Sequence, residues 1–225
     1  MQRGWRRAVF LAAVAIALFG CADTKQTRDD NDTQAPRTLQ VMTKGFVVAG
    51  PRGFCVDTRN SRATEDSAFA LLGSCSAISG NPADAKPRVP AILSASIVPA
   101  DGPLDEDALD RLAAFLSSED GRAALSRAED DTDVAVLELE RPPGLVLIHA
   151  RDGMDAADLQ GDYWRAVFEV SGHIVSVTVS GFAATPFDND TGKALARDFA
   201  KAVRRANNAR APGGGGLGSL LDRLL

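Results

Sequence analysis

The stretch G-D-Y-W-R-A-V-F-E-V-S-G-H-I-V-S-V-T-V-S, residues 161–180, decides the fold. Trp164, Ala166, Phe168 and Val170 alternate with Arg165 and Glu169, the period-two pattern of a strand with one apolar face. Ser171-Gly172 is turn chemistry. After it Val175, Val177 and Val179 alternate with Ser176, Thr178 and Ser180. Two alternating runs joined by so short a turn predict an antiparallel hairpin, half-buried, with Trp164 in the core.

Outward from the hairpin the period changes. Over 188–207, Leu195, Phe199, Ala202, Val203 and Ala206 share one face of a helix, with Lys193, Arg197, Lys201, Arg204 and Arg205 expected toward solvent. Its acids lie early and its bases late, as the helix dipole favours. Upstream, Asp105 or Asp107 can cap a helix carrying Leu109, Leu112 and Leu116 on one face, and a shorter helix over about 118–127 buries Leu125. Val134–Glu140 and Leu145–Arg151 read as strands around Arg141-Pro-Pro-Gly144. Gly45–Asp57 reads as two strands around the Gly50-Pro-Arg-Gly53 turn, the second carrying Cys55; Ala68–Ser74 and Ala91–Val98 are further strands. The expected fold is a single α+β domain over 39–211, an antiparallel β-sheet flanked by two main helices.

The chain has 225 residues, 45% of them hydrophobic and 24% charged, with a net charge of −5. That suits one globular domain and argues against a nucleic-acid partner, which calls for a basic surface.

The first forty residues address location. Arg3, Arg6 and Arg7 precede an apolar run over 8–19, too short to span a bilayer comfortably but suited to a secretory signal. The run closes on Leu18-Phe19-Gly20-Cys21, which resembles the bacterial lipoprotein signal at Leu18, Gly20 and Cys21; Phe19 stands where a smaller residue is usual. The resemblance implies diacylglycerol on the Cys21 sulfur, removal of residues 1–20 and acylation of the new amino group. The partner through that lipid is the membrane, facing the periplasm. Ala22 after the cysteine, in place of Asp, favours the outer membrane. Losing 1–20 removes three arginines and no acid, which leaves 22 basic and 30 acidic residues, a net −8.

Residues 22–38 contain no large apolar side chain and read as a disordered stalk. Their acids, and Asp188-Asn-Asp-Thr-Gly-Lys193, lack the offsets of an EF-hand, Phe199 standing where its glutamate belongs. Past Pro212 the chain becomes a Gly-rich linker and a short amphipathic tail. Gly213, Gly215 and Gly218 spell a dinucleotide-loop pattern without its strand and helix. Leu217, Leu220, Leu221, Leu224 and Leu225 form one helical stripe, read either as a frayed tail or as a peptide that docks on a protein partner or the membrane.

With Cys21 lipidated, Cys55 and Cys75 remain. A disulfide is expected, with two buried free thiols as the alternative; a metal site would need further ligands. His149 and His173 lie on predicted strands, His173 in a solvent-facing or capping role. No nucleophile elbow, P-loop or Cys-x-x-Cys motif is present, and neither catalytic residues nor a cofactor is expected.

The order of elements, through the loop at 152–161, Tyr163–Val170, the Gly turn, His173–Gly181 and the closing helix, resembles the PsbP-like α/β sandwich, best over 130–207. That resemblance implies a binding or assembly factor. The expected function is a non-catalytic envelope lipoprotein. The alternative is a periplasmic enzyme or small-ligand binder using the 152–161 loop as a lid and Arg151, Asp152 or His149 as polar groups.

Overall fold

The computed structural model describes residues 34–41, 45–125, 134–153 and 158–208. The hairpin is its centre. Strand β8 (Leu159–Val170) turns at Ser171-Gly172 into β9 (His173–Phe182), with Trp164 opposite Val179 and Phe168 opposite Val175. Ser171 has φ 53° and Gly172 φ 71°, the left-handed pair that two-residue hairpin turns require. Around this pair stands a fully antiparallel seven-stranded sheet in the order β3-β4-β5-β9-β8-β7-β6. The other strands are β3 (Phe54–Ala63), β4 (Ala68–Ser74), β5 (Ala91–Pro99), β6 (Val134–Glu140) and β7 (Leu145–Asp152).

Both faces of the sheet bury apolar side chains. On the first, Trp164, Phe168, Val175, Val177 and Val179 pack against α4 (Asn189–Asn208) through Phe199 and Val203. On the second, Val146, Ile148 and Tyr163 meet Leu109 and Leu116 of α2 (Glu106–Leu116) and Leu125 beyond α3 (Glu119–Ala123). This is the α+β sandwich that the periodicities called for, with a main helix on each face.

Asp105, one of the two expected candidates, caps α2, and Ser118 and Asp188 cap α3 and α4. Asp105 accepts from Ala108 N at 2.8 Å and Ser118 from Gly121 N at 3.1 Å. Asp188 accepts from Thr191 N at 2.8 Å and so opens α4. The second helix ends earlier than expected, at Ala123.

The structure decides one pairing that the sequence left open and corrects three expectations. The strands around Gly50–Gly53 do not pair with each other. β2 (Phe46–Ala49) pairs with β1 (Thr38–Val41) in a separate two-stranded sheet, while β3 pairs with β4. β2 packs under α4, where Asn207 donates to Val47 O at 2.8 Å and accepts from Val47 N at 2.9 Å. His173 is buried, its ring 5.0 Å from that of Phe46, although Nδ1 does lie 2.8 Å from Ser171 O. The end of the expected stalk belongs to the fold: Ala35 is buried, and Pro36 O accepts from Val56 N at 2.8 Å. Arg204 does not point freely to solvent. It lies half-buried over Phe168, 4.8 Å from the ring centroid, and donates to Gly144 O at 2.6 Å.

Candidate functional site

Cys21 and Leu217–Leu225 lie outside the described residues. Cys55 and Cys75 are brought together: β3 supplies one, and the other opens α1 (Cys75–Ser79), closing a disulfide across a separation of 20 residues. Both are buried, with Ala35, Ile78 and Ala85 against them. The chain therefore enters its folded unit beside this bond.

A second contact is stitched to the same corner. Gly53 closes the 50–53 turn at φ +90°, and a Cβ there would sit 2.5 Å from Pro87 N. Only glycine permits so close an approach of two backbones. Gly53 O also accepts from Cys75 N at 3.0 Å, and Ala85 O from Ser76 N at 3.2 Å. The 85–88 loop is thereby fixed against both the disulfide and the turn.

Between that turn, that loop and the first half of α4 lies an open cleft of about 580 Å³. Its floor is apolar, from Phe54, Val89 and Leu195, and Arg52, Lys86 and Arg88 stand on its rim. All three cations are exposed, and none is hydrogen-bonded or ion-paired through its charged group to another described residue. Asp198 on α4 also lines the cleft, with Lys201 Nζ at 3.5 Å. Sequence reasoning missed this grouping. Its signal was present as two Pro-flanked basic turns, Pro51-Arg52 and Lys86-Pro87-Arg88, in an otherwise acidic chain.

A polar cluster occupies the sheet beneath the start of α4. His149 stacks on Trp164 with ring centroids 5.0 Å apart and planes within 5°. Its Nε2 is 2.7 Å from Asp162, which also accepts from Gln160 at 3.0 Å. The Trp164 indole N–H donates to Asn189 at 3.1 Å, and Asn189 donates to Glu138 at 2.9 Å. Lys193 pairs with Glu138 and with Glu140, and Arg197 reaches Glu140 at 2.7 Å. Lys193 and Arg197, expected to face solvent, instead tie α4 to β6.

The arrangement of His149 is that of an oriented imidazole, with Nε2 directed at a carboxylate rather than at a hydroxyl or thiol. Of the other polar groups proposed for a ligand site, Arg151 is exposed and Asp152 buried. The loop beside them is shorter than 152–161, since β7 runs to Asp152 and β8 starts at Leu159. Residues 154–157 lie outside the described set. Among the described residues no group of three or more His, Cys, Asp or Glu is placed to hold a metal ion.

Hydrogen bonds from Lys193 and Asn189 hold Glu138 below the ordinary carboxylate range, against its partial burial. For Asp162 burial is the largest influence and pushes upward. Hydrogen bonds from His149 and Gln160, together with the remaining favourable contacts, outweigh it, and the net shift is downward. A carboxylate whose pKa falls on folding contributes stability above its unfolded value, near ~4, and loses it as pH drops through the folded one. Glu138→Gln is expected to flatten the loss of stability between about pH 5 and pH 3. Urea midpoints across that range measure it, and a slope equal to wild type would remove this network from the account.

No protein-family model matches the chain, and no curated protein is similar to it.

Proposed function

We propose that this chain is a bacterial envelope lipoprotein, anchored through lipid on Cys21 and acting by binding rather than catalysis. It would hold a protein partner, or a complex under assembly, near the membrane. The observation that carries the reading is Leu18-Phe19-Gly20-Cys21 at the end of a short apolar run behind three arginines. The disulfide supports it twice. Such bonds persist in oxidising compartments outside the cytosol. Pairing Cys55 with Cys75 also leaves Cys21 as the remaining cysteine of three, the one the anchor requires.

Two acyl chains or more make a stable anchor, where one gives only marginal binding. The outer membrane is the expected location, from Ala22. His149, held between Trp164 and Asp162, suits a structural clamp better than a general base, which favours binding over chemistry. The resemblance in element order to the PsbP-like sandwich points the same way.

The two ends of the folded unit bear on partner binding. The chain enters beside Cys55 and Cys75. It leaves α4 at Asn208, which lines a hollow with Ser171 of the β8–β9 turn, at the other end of the strands. The leucine stripe 217–225 follows Asn208 in sequence, and a partner would be met through it.

Labelling cells with a clickable fatty acid tests the anchor. The label is expected on the wild-type chain and absent from Cys21→Ala, which should also leave the membrane fraction. A label that persists in Cys21→Ala would overturn the lipidation. Whole-cell crosslinking with and without residues 213–225 tests the tail, and identical partner sets would exclude it from the interface.

A further inference from the structure

We propose that the cleft between the 50–53 turn, the 86–89 loop and α4 holds the phosphate head of an anionic lipid in the membrane to which the chain is tethered. The source of the ligand rests on the lipoprotein reading; the chemistry of the cleft does not. Three cations, Arg52, Lys86 and Arg88, converge on one opening and none is neutralised by another described residue. Among the described lining residues the single acid, Asp198, has Lys201 at 3.5 Å. A processed chain of net charge −8 has no general attraction to an anionic surface. Whatever attraction it shows must come from a local grouping such as this one.

The floor decides between a lipid and a bare anion. Phe54, Val89 and Leu195 offer apolar surface that inorganic phosphate cannot use, whereas the glycerol and upper acyl carbons of a lipid can. Position decides the source. The cleft shares its loop with the disulfide corner at which the chain enters, and twelve residues, 22–33, lie between Cys21 and Gln34, the first described residue. Those thirteen Cα-to-Cα steps reach at most ~45 Å, and as a coil about 20 Å. A tether of that length keeps headgroups at high effective concentration, so even weak contacts at the cleft would set which face of the domain meets the bilayer.

The test uses the processed chain, residues 21–225 with Cys21→Ala. The described fold begins at Gln34 and carries its own core and disulfide, so removing the signal leaves it intact. Co-sedimentation is measured with phosphatidylcholine vesicles that contain or lack 30% phosphatidylglycerol. Binding is expected only to the anionic vesicles and is expected to be released by salt. Each basic residue near such a surface contributes about fivefold, so Arg52→Glu/Lys86→Glu/Arg88→Glu should weaken binding on the order of a hundredfold. Asp198→Lys should strengthen it several-fold. Arg111→Glu/Arg122→Glu, on the layer across the sheet, should leave it unchanged.

Equal binding to both vesicles, or no response to the triple reversal in a protein of unchanged melting temperature, overturns the proposal. So does full competition by millimolar inorganic phosphate, which would assign the cleft to soluble phosphate compounds. Binding to an acidic peptide with none to vesicles overturns it in favour of a protein ligand. Failure of the anchor reads out separately, as loss of fatty-acid label from the full chain while cleft binding persists.

Discussion

Trp164→Ala is expected to destabilise the fold by about 3–5 kcal/mol, the range for truncating a large buried aromatic. Trp164 is fully buried and is contacted from several directions. His149 stacks on one face, Lys193 Nζ lies 5.1 Å from the ring centroid, and the indole N–H is bonded to Asn189. α4 comes so close at Gly192 that a Cβ there would stand 2.6 Å from Trp164 Cδ1. Truncation empties the space between β7, β8 and the start of α4 and leaves the Asn189 carbonyl oxygen without its donor. For a chain of this size the melting temperature should fall by about 10 °C or more. Trp164→Phe keeps most of the packing and loses the hydrogen bond, at a cost of about 1–2 kcal/mol. Urea unfolding followed by circular dichroism measures both. A loss below about 1 kcal/mol for the alanine variant would mean that the site collapses around the gap.

Loss of the disulfide should come next in size. Cys55→Ala/Cys75→Ala frees a loop closed across 20 residues, which the chain-entropy model puts at about 3 kcal/mol, or a fall of roughly 6–12 °C in melting temperature. The bond also fixes a local arrangement. It holds α1 to β3 and backs the contacts by which Gly53 and the 85–88 loop meet. Reduction of the wild-type chain should reproduce the shift, and alkylation without reductant should label neither cysteine. Two reactive thiols in the unreduced chain would contradict the pairing. Because the corner also positions Arg52 against Lys86 and Arg88, the double variant should weaken binding of anionic vesicles as well as stability.

Much of the fold was legible because its signals are local. Alternation in 161–180 placed Trp164 and Phe168 inside and put the turn at Ser171-Gly172. Asp105 announced the start of α2, since a short oxygen-bearing side chain can satisfy amide groups that a helix leaves free. The pairing of Cys55 with Cys75 followed from counting once Cys21 was assigned elsewhere. The cleft was not legible. Arg52 and Arg88 sit in separate turns, and nothing periodic links them to each other or to Leu195, more than a hundred residues on.

The sequence by itself therefore determined the main strands and helices and which face of each is apolar. Only the tertiary structure decided neighbours. It set β5 beside β9, moved β2 out of the main sheet to pair with β1, buried His173 against Phe46 and tied Lys193 to Glu138 across 55 residues. The physical reason is that a side-chain period records which face is buried but not what buries it. Partners distant in sequence are selected by the packing of the whole core, and the cleft beside the chain entry exists only once that packing is complete.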